Sequence, residues 1–285
     1  MQLDSCQLYK ECLNLRTNNF FNPKFGVNYF TDKSNFYFSY ARGNKEPKRA
    51  DYLANPDVKS ESLDDFELGW KYNADDFIIR TNIYYMFYRD QLVLTGELDD
   101  VGNPIADNIG ESYRLGLEVD AVFRFRDNLI WQPNFALSMN KNIDKNFEFD
   151  GELTNFGNTD LAYSPGFIAA SNLKYEPLKN FNISWLSKYV GEQYMGNIDH
   201  PNSKLDAYFV NDLLLSYEIV TEKLLKSVTF TGMVNNMFNV KYVSNGYFFT
   251  FDDTWTNPGE VKTITGAGYY PQAEINFLLG VNLKF

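Results

Sequence analysis

Residues able to do covalent or acid–base chemistry are scarce in this chain. His200 is the only histidine of the 285 residues, and Cys6 and Cys12 are the only cysteines. The histidine sits in the polar run Asn197-Ile198-Asp199-His200-Pro201, and no Gly-x-Ser-x-Gly occurs, so no nucleophile–base pair is in view. One histidine and two cysteines cannot build a zinc site. Six residues apart, Cys6 and Cys12 either close a small disulfide loop or remain free thiols. Asp99-Asp100 and Asp252-Asp253 read either as calcium ligands or as solvated acidic pairs. Glu118 and Asp120 place two carboxylates on one side of an extended segment, as glycoside hydrolysis requires, but nothing else marks a sugar-cleaving cleft. The chain is expected to have no catalytic residue, no metal and no cofactor, and not to be an enzyme. A net charge of −11 excludes nucleic-acid binding, which needs a basic footprint.

The elements that position the remaining residues are strands. Ala273–Phe285 alternates Ile275, Phe277, Leu279, Val281, Leu283 and Phe285 with mostly polar neighbours, Leu278 excepted. Ser112–Phe125 does the same: Tyr113, Leu115, Leu117, Val119, Ala121, Phe123 and Phe125 interleave with Arg114, Glu118, Asp120 and Arg124. Comparable segments are expected at Lys24–Thr31, Asn35–Arg42, Leu63–Tyr72, Phe77–Tyr88, Leu129–Asn140, Gly166–Tyr175, Phe181–Tyr189, Tyr208–Ile219 and Ser227–Phe238. Short turns (Asp32-Lys33-Ser34, Asn73 to Asp76, Arg126-Asp127-Asn128, Glu176 to Lys179, Thr221-Glu222-Lys223) alternate with long connections, of which Asn239–Gln272 is the longest. No apolar run reaches the ~20 residues of a membrane helix. Strands of this length with one oily and one wet face, joined by short turns on one side and long loops on the other, are the pattern of a transmembrane β-barrel. The expected fold is all-β: an antiparallel meander of about eleven strands over residues 24–285, preceded by a polar segment, residues 1–23, read as the remnant of an extracellular loop. Met1–Leu15 lacks the basic and apolar regions of a secretory signal, as expected of the downstream part of a longer protein.

Specific runs carry a resemblance. Asn235-Asn236-Met237-Phe238-Asn239-Val240-Lys241-Tyr242 resembles a segment near the end of TonB-dependent outer-membrane receptors, and the strand closing on Phe285 is similar to that family's last strand. Tyr37-x-Ser39-Tyr40-Ala41-Arg42 with Glu46-Pro47-Lys48-Arg49, and Glu67-Leu68-Gly69-Trp70-Lys71-Tyr72 leading into Asn82-Ile83-Tyr84-Tyr85-Met86, resemble barrel strands and loops of the same family, in the manner of receptors from Bacteroides-like bacteria. The resemblance implies a bacterial outer-membrane location, lipid around the barrel, and TonB-dependent import of a bulky nutrient such as a ferric siderophore. It also implies a 22-stranded barrel, a plug, and a plug-borne contact with TonB and its ExbB–ExbD partners. The chain holds about half of those strands and neither plug nor TonB segment, so it is expected to be the C-terminal barrel portion and not competent alone.

Loops are then the candidate binding elements. Tyr247, Phe248, Phe249 and Trp255, with Phe251 among them, form an aromatic cluster that either grips a bulky ligand by stacking or packs the loop and furnishes an interfacial girdle. Arg42 and Arg49, with Lys45 and Lys48, either attract an anionic siderophore, meet lipopolysaccharide phosphates, or stay solvated. Arg80, Arg114, Glu118, Asp120 and Arg124 are expected to line a wet lumen as cross-strand ion pairs, and Phe285 to be the terminal residue of membrane insertion. The competing reading is a secreted or surface-exposed soluble β protein using the same loops as a binding module. Membrane residence and a need for detergent separate the two.

Overall fold

The computed structural model describes residues 18–98, 104–221 and 225–285. Eleven strands form one antiparallel sheet in chain order: β1 (Lys24–Phe30), β2 (Ser34–Lys45), β3 (Glu61–Asn73), β4 (Phe77–Arg89), β5 (Ser112–Arg126), β6 (Leu129–Asn142), β7 (Phe167–Leu178), β8 (Phe181–Val190), β9 (Tyr208–Val220), β10 (Ser227–Asn235) and β11 (Asn276–Lys284). A two-residue bridge, Thr159–Asp160, adds to the far end of β6. Among the described residues β1 and β11 are each paired along one edge only. Cys6 and Cys12, the pair Asp99-Asp100 and part of the Thr221-Glu222-Lys223 turn lie outside the described residues.

Register converts the alternation of each strand into two continuous faces. On one face Phe36 opposes Trp70, Phe38 opposes Leu68, Leu68 opposes Ile83, Ile83 opposes Leu117 and Leu117 opposes Leu137. That oily face continues through Leu173–Trp185, Trp185–Leu213 and Phe230–Val281. Its residues are open even in the middle of the sheet: Leu68 is 54% exposed, Ile83 48% and Leu137 48%. The opposite face pairs Asn82 with Glu118, Arg80 with Asp120, Arg114 with Asn140, and Thr229 with Asn282. Neither face is covered by a second layer of the described residues, so the sheet has no core of its own.

Two bands of rings run across the oily face. Near the short turns, contacts pass from Phe36 to Trp70, Tyr72, Phe77, Phe123 and Trp131, with centroids 5.3–6.4 Å apart. Towards the long connections, Tyr40–Phe66, Tyr85–Phe87, Tyr85–Tyr113 and Phe135–Phe167–Tyr189 form the second band.

On the polar face two tyrosines lie across glycines of the next strand. Tyr37 opposes Gly69 and Tyr84 opposes Gly116. A Cβ at Gly69 would stand 2.0 Å from the Tyr37 ring, and one at Gly116 2.4 Å from the Tyr84 ring. Only glycine leaves room for a ring to lie flat over the neighbouring backbone at these two positions. The Tyr37 hydroxyl then donates to Asn82 Oδ1 at 3.0 Å.

Strand ends differ from the sequence reading in several places, each for a local reason. β10 stops at Asn235 rather than Phe238, because Asn236 (φ 49°) and Asn239 (φ 52°) take left-handed conformations that end the extended chain. Their side chains replace ladder bonds. Asn236 donates to the Val240 and Ala273 carbonyls and accepts from the Val240 N–H, and Asn239 Oδ1 accepts from Ile275 N. This side-chain bonding delays β11 to Asn276 rather than Ala273. The β7 strand runs past Glu176 to Leu178 by way of an irregularity after Tyr175, and Asn180 (φ 66°) makes the tight turn. β2 and β3 each extend beyond the expected Arg42 and Leu63, shortening the connection between them, which holds a helix at Arg49–Ala54.

The long connections are structured rather than plain loops. They contain hairpins at Leu92–Leu98 with Pro104–Asn108, Asn146–Phe149 with Glu152–Asn155, Gln193–Tyr194 with Lys204–Leu205, and Val243–Asp253 with Lys262–Pro271. Most of the deeply buried apolar residues sit there: Val58, Leu161, Met195, Ile198 and Leu205. The hydrophobic core is thus a cap over one end of the sheet.

Candidate functional site

The hairpin of residues 243–271 carries the aromatic cluster, and strand alternation sorts it. Tyr247, Phe249 and Phe251 fall on one face at every second residue, with successive ring centroids 6.2 and 6.3 Å apart and planes within 19° of parallel. Trp255 continues the row from the hairpin tip, 6.1 Å from Phe251 at 3°. All four are exposed, Trp255 at 68%. Gly266 and Gly268 on the returning strand lie opposite Phe249 and Tyr247. A Cβ at either would collide with the facing ring, at 2.3 and 2.4 Å. Small residues on one strand let the large ones of the other lie flat, which yields a level apolar platform of four rings.

Phe248 belongs to the opposite face. Its ring stacks on His200 at 5.6 Å and lies where a Cβ of Gly196 would be, 2.8 Å away. It anchors the hairpin to the Gly191–Asp206 connection instead of joining the platform. His200 is also occupied: its Nδ1 accepts from Asn202 N at 3.1 Å and caps the short helical turn Pro201–Ser203.

Further bonds hold the hairpin to the cap. The Tyr163 hydroxyl donates to the Gly246 carbonyl at 2.7 Å, and burial, with Tyr270 nearby, pushes that hydroxyl's pKa up. Thr263 Oγ1 donates to Asp252 and accepts from Asp150 N, while Asp150 Oδ1 accepts from Thr263 N. The Tyr269 hydroxyl donates to the Asn202 carbonyl. Asp253 accepts from the N–H groups of Trp255 and Thr256 at 3.1 and 3.0 Å, and the Thr256 side chain, its N–H and that of Trp255 hold the carboxyl below its usual pKa. Both carboxylates of Asp252-Asp253 therefore serve the hairpin's own geometry. Among the described residues no group of three or more candidate ligands gathers for a metal.

The remaining candidates are spread over the sheet. Arg80 pairs with Asp120 at 3.0 Å, and Arg114 Nη1 donates to Ser164 Oγ at 3.1 Å. Glu118 opposes Asn82, and Arg124 opposes Ile130 at the short-turn end, so all five share the polar face. Arg42 lies on the oily face, near Asp64. Arg49 is exposed at the start of the helix in the β2–β3 connection, which puts it on a different element from Arg42. Phe285 follows β11 and is 72% exposed.

The family model described as TonB dependent receptor-like, beta-barrel, matches residues 13–237. The chain belongs to that family. Its members are outer-membrane transport receptors rather than enzymes. None of the curated proteins matches the sequence. Solved receptors are similar in fold: the ferric-catecholate import receptor Fiu of E. coli K12 gives a TM-score of 0.65 at 17% identity, over 92% of this chain and 34% of Fiu. The siderophore receptor PiuA of Acinetobacter baumannii gives 0.67 at 16% identity, over 92% of this chain and 35% of PiuA. The copper transporter OprC gives 0.66 at 17%, over 92% of this chain and 39% of OprC. The chain spans little more than a third of the length of these receptors.

Proposed function

We propose that this chain is the C-terminal barrel portion of an outer-membrane receptor that takes up a bulky nutrient in a TonB-dependent manner, with a ferric siderophore as the first ligand class to test. The observation that carries the reading is the two-faced sheet. Eleven strands present an open oily face bounded by two aromatic bands against an open polar face, and every long connection lies at one end. In water the oily face would leave large apolar residues uncovered in the middle of the sheet. In a bilayer it is solvated by lipid, and the polar face, with Arg80, Arg114, Glu118, Asp120 and Arg124, lines the lumen.

The single-edged strands β1 and β11 support the same reading. Among the described residues each has one edge of backbone N–H and C=O groups with no strand partner, and in lipid each such group costs several kcal/mol unless another strand pairs it. Strands outside this chain complete the barrel, and the plug and the contact with TonB, ExbB and ExbD come from that remainder. The names of Fiu and PiuA as ferric-catecholate and siderophore receptors are what suggests the ligand class.

The platform Tyr247, Phe249, Phe251 and Trp255 is the ligand-contacting surface in this reading, and Phe248 its anchor. The test is binding of ferric siderophores to the assembled receptor. Phe251→Ala with Trp255→Ala removes two stacking faces at about 1 kcal/mol each, lowering affinity roughly tenfold or more. Unchanged affinity would remove the platform from the ligand site. Recovery of the chain in the soluble fraction without detergent would overturn the receptor reading itself.

A further inference from the structure

On the oily face, just beyond the second aromatic band, Asp64 is flanked by two arginines. Arg89 Nη1 bonds Asp64 Oδ2 at 2.6 Å, and the Tyr40 hydroxyl donates to Asp64 Oδ1 at 2.8 Å. Arg42 stands 3.9 Å from the same carboxylate, beyond hydrogen-bond reach. The Asp64 side chain is 13% exposed, whereas those of Arg42 and Arg89 are 39% and 44% exposed. The covered carboxylate therefore holds Arg89 by a hydrogen bond and Arg42 by charge alone, and the outer edges of both guanidiniums stay open. Two positive charges against one negative leave a local excess of one, in a chain whose net charge is −11.

A groove runs from these arginines along the oily face between Tyr40, Phe66, Tyr85 and Phe87. Phe66 is 39% and Tyr85 40% exposed, and the Arg89 guanidinium lies 4.8 Å over the Phe87 ring. Arg42 and Asp64 sit toward the long connections, one step past the Tyr40–Phe66 contact. With the oily face in lipid, as the proposed function has it, this row is level with the headgroups of the outer leaflet, where aromatic bands mark the interface.

We infer that Arg42 and Arg89, oriented by Asp64, bind the phosphate of an outer-leaflet lipid whose acyl chains lie in the Tyr40–Phe66–Tyr85–Phe87 groove. The guanidinium fork matches phosphate oxygens, and charge-assisted bonds of this kind are the strong ones. Asp64 is a positioning residue: it bonds the Arg89 fork and draws Arg42 towards it by charge. The inference depends on the membrane reading but concerns one patch of it.

The test uses the assembled receptor in neutral detergent micelles, with diphosphoryl lipid A as the probe and bound lipid counted by native mass spectrometry. Lipid A stripped of phosphate and inorganic phosphate are the comparison arms. The expected result is retention of lipid A by the parent chain, loss of roughly tenfold or more of that retention in Arg42→Gln with Arg89→Gln, and partial retention in Arg42→Lys with Arg89→Lys. Asp64→Asn removes the carboxylate that orients Arg89 and is expected to lower retention severalfold with both arginines still present, whereas retention equal to the parent's would overturn the positioning role of Asp64. Equal retention by the Gln variant, equal retention of phosphate-free lipid, or binding of inorganic phosphate with no retention of lipid A would each overturn the inference. Circular dichroism of each variant verifies the β-sheet, and failure of the assembled parent receptor to enter micelles at all would indict the membrane reading instead.

Discussion

Gly116→Ala is expected to be destabilising in the native chain and stabilising once Tyr84 is removed. In the structure a Cβ at position 116 falls 2.4 Å from both Cζ and Oη of Tyr84. Ordinary carbon contacts lie at about 3.5 Å, so the ring must retreat by about 1 Å. The ring then leaves its rotamer well and lifts off the β5 backbone. Overpacking of this kind costs about 1–3 kcal/mol. Tyr84→Ala alone removes a half-buried ring, about half the 3–5 kcal/mol of a fully buried aromatic. In the double variant nothing opposes the new methyl group, and alanine is better than glycine inside a strand by about 0.5–1 kcal/mol. The effect of Gly116→Ala thus changes sign between backgrounds, a coupling of about 2 kcal/mol or more. The assay is urea unfolding of the barrel in detergent micelles, followed by tryptophan emission, on the four members of the cycle. An identical cost for Gly116→Ala with and without Tyr84 would refute the claim that the ring and the glycine fit each other.

Asn236→Ala should be among the most damaging single changes outside the wall strands. It deletes three side-chain hydrogen bonds, to Val240 N, Val240 O and Ala273 O, worth about 1 kcal/mol each. It also leaves alanine at φ 49°, which adds about 1 kcal/mol; a loss under about 1 kcal/mol in the same unfolding assay would contradict this. Acid should loosen the hairpin tip. The Asp253 carboxyl is held below its usual pKa, so its contribution is complete above the unfolded value of about 3.9 and disappears as pH falls through the lower folded one. Trp255 emission should shift only below about pH 4, and Asp253→Asn should abolish that shift; a transition near neutrality would point to another group.

The wall strands were legible because alternation is enforced on both sides at once. In Ser112–Phe125 every second residue is oily because it belongs to the open apolar face, and Arg114, Glu118, Asp120 and Arg124 intervene because they belong to the polar one. The loop hairpins were not legible for the opposite reason. In Tyr247-Phe248-Phe249 the anchor residue Phe248 fills the slot where a polar residue would have revealed the alternation. Tyr247, Phe249 and Phe251 against the glycines Gly266 and Gly268 was a signal that could have been found. Cross-strand partnerships such as Arg80–Asp120 and Arg42–Asp64–Arg89 depend on register, which no single strand encodes. The Asn236–Asn239 run was recognisable as a motif, but its work became visible only with the backbone: two left-handed asparagines end β10 and bond the approach to β11.

The account turns on which face meets lipid. Nitroxide labels placed singly at Leu68, Ile83, Leu117 and Leu137 on one face and at Asn82, Glu118 and Thr229 on the other measure this directly, with the receptor in lipid vesicles. Labels of the first set should be relaxed by dissolved oxygen and shielded from a water-soluble nickel chelate, and those of the second set should show the reverse. Equal accessibility to the nickel chelate on both faces, or immobilised labels of the first set that neither reagent reaches, would contradict it.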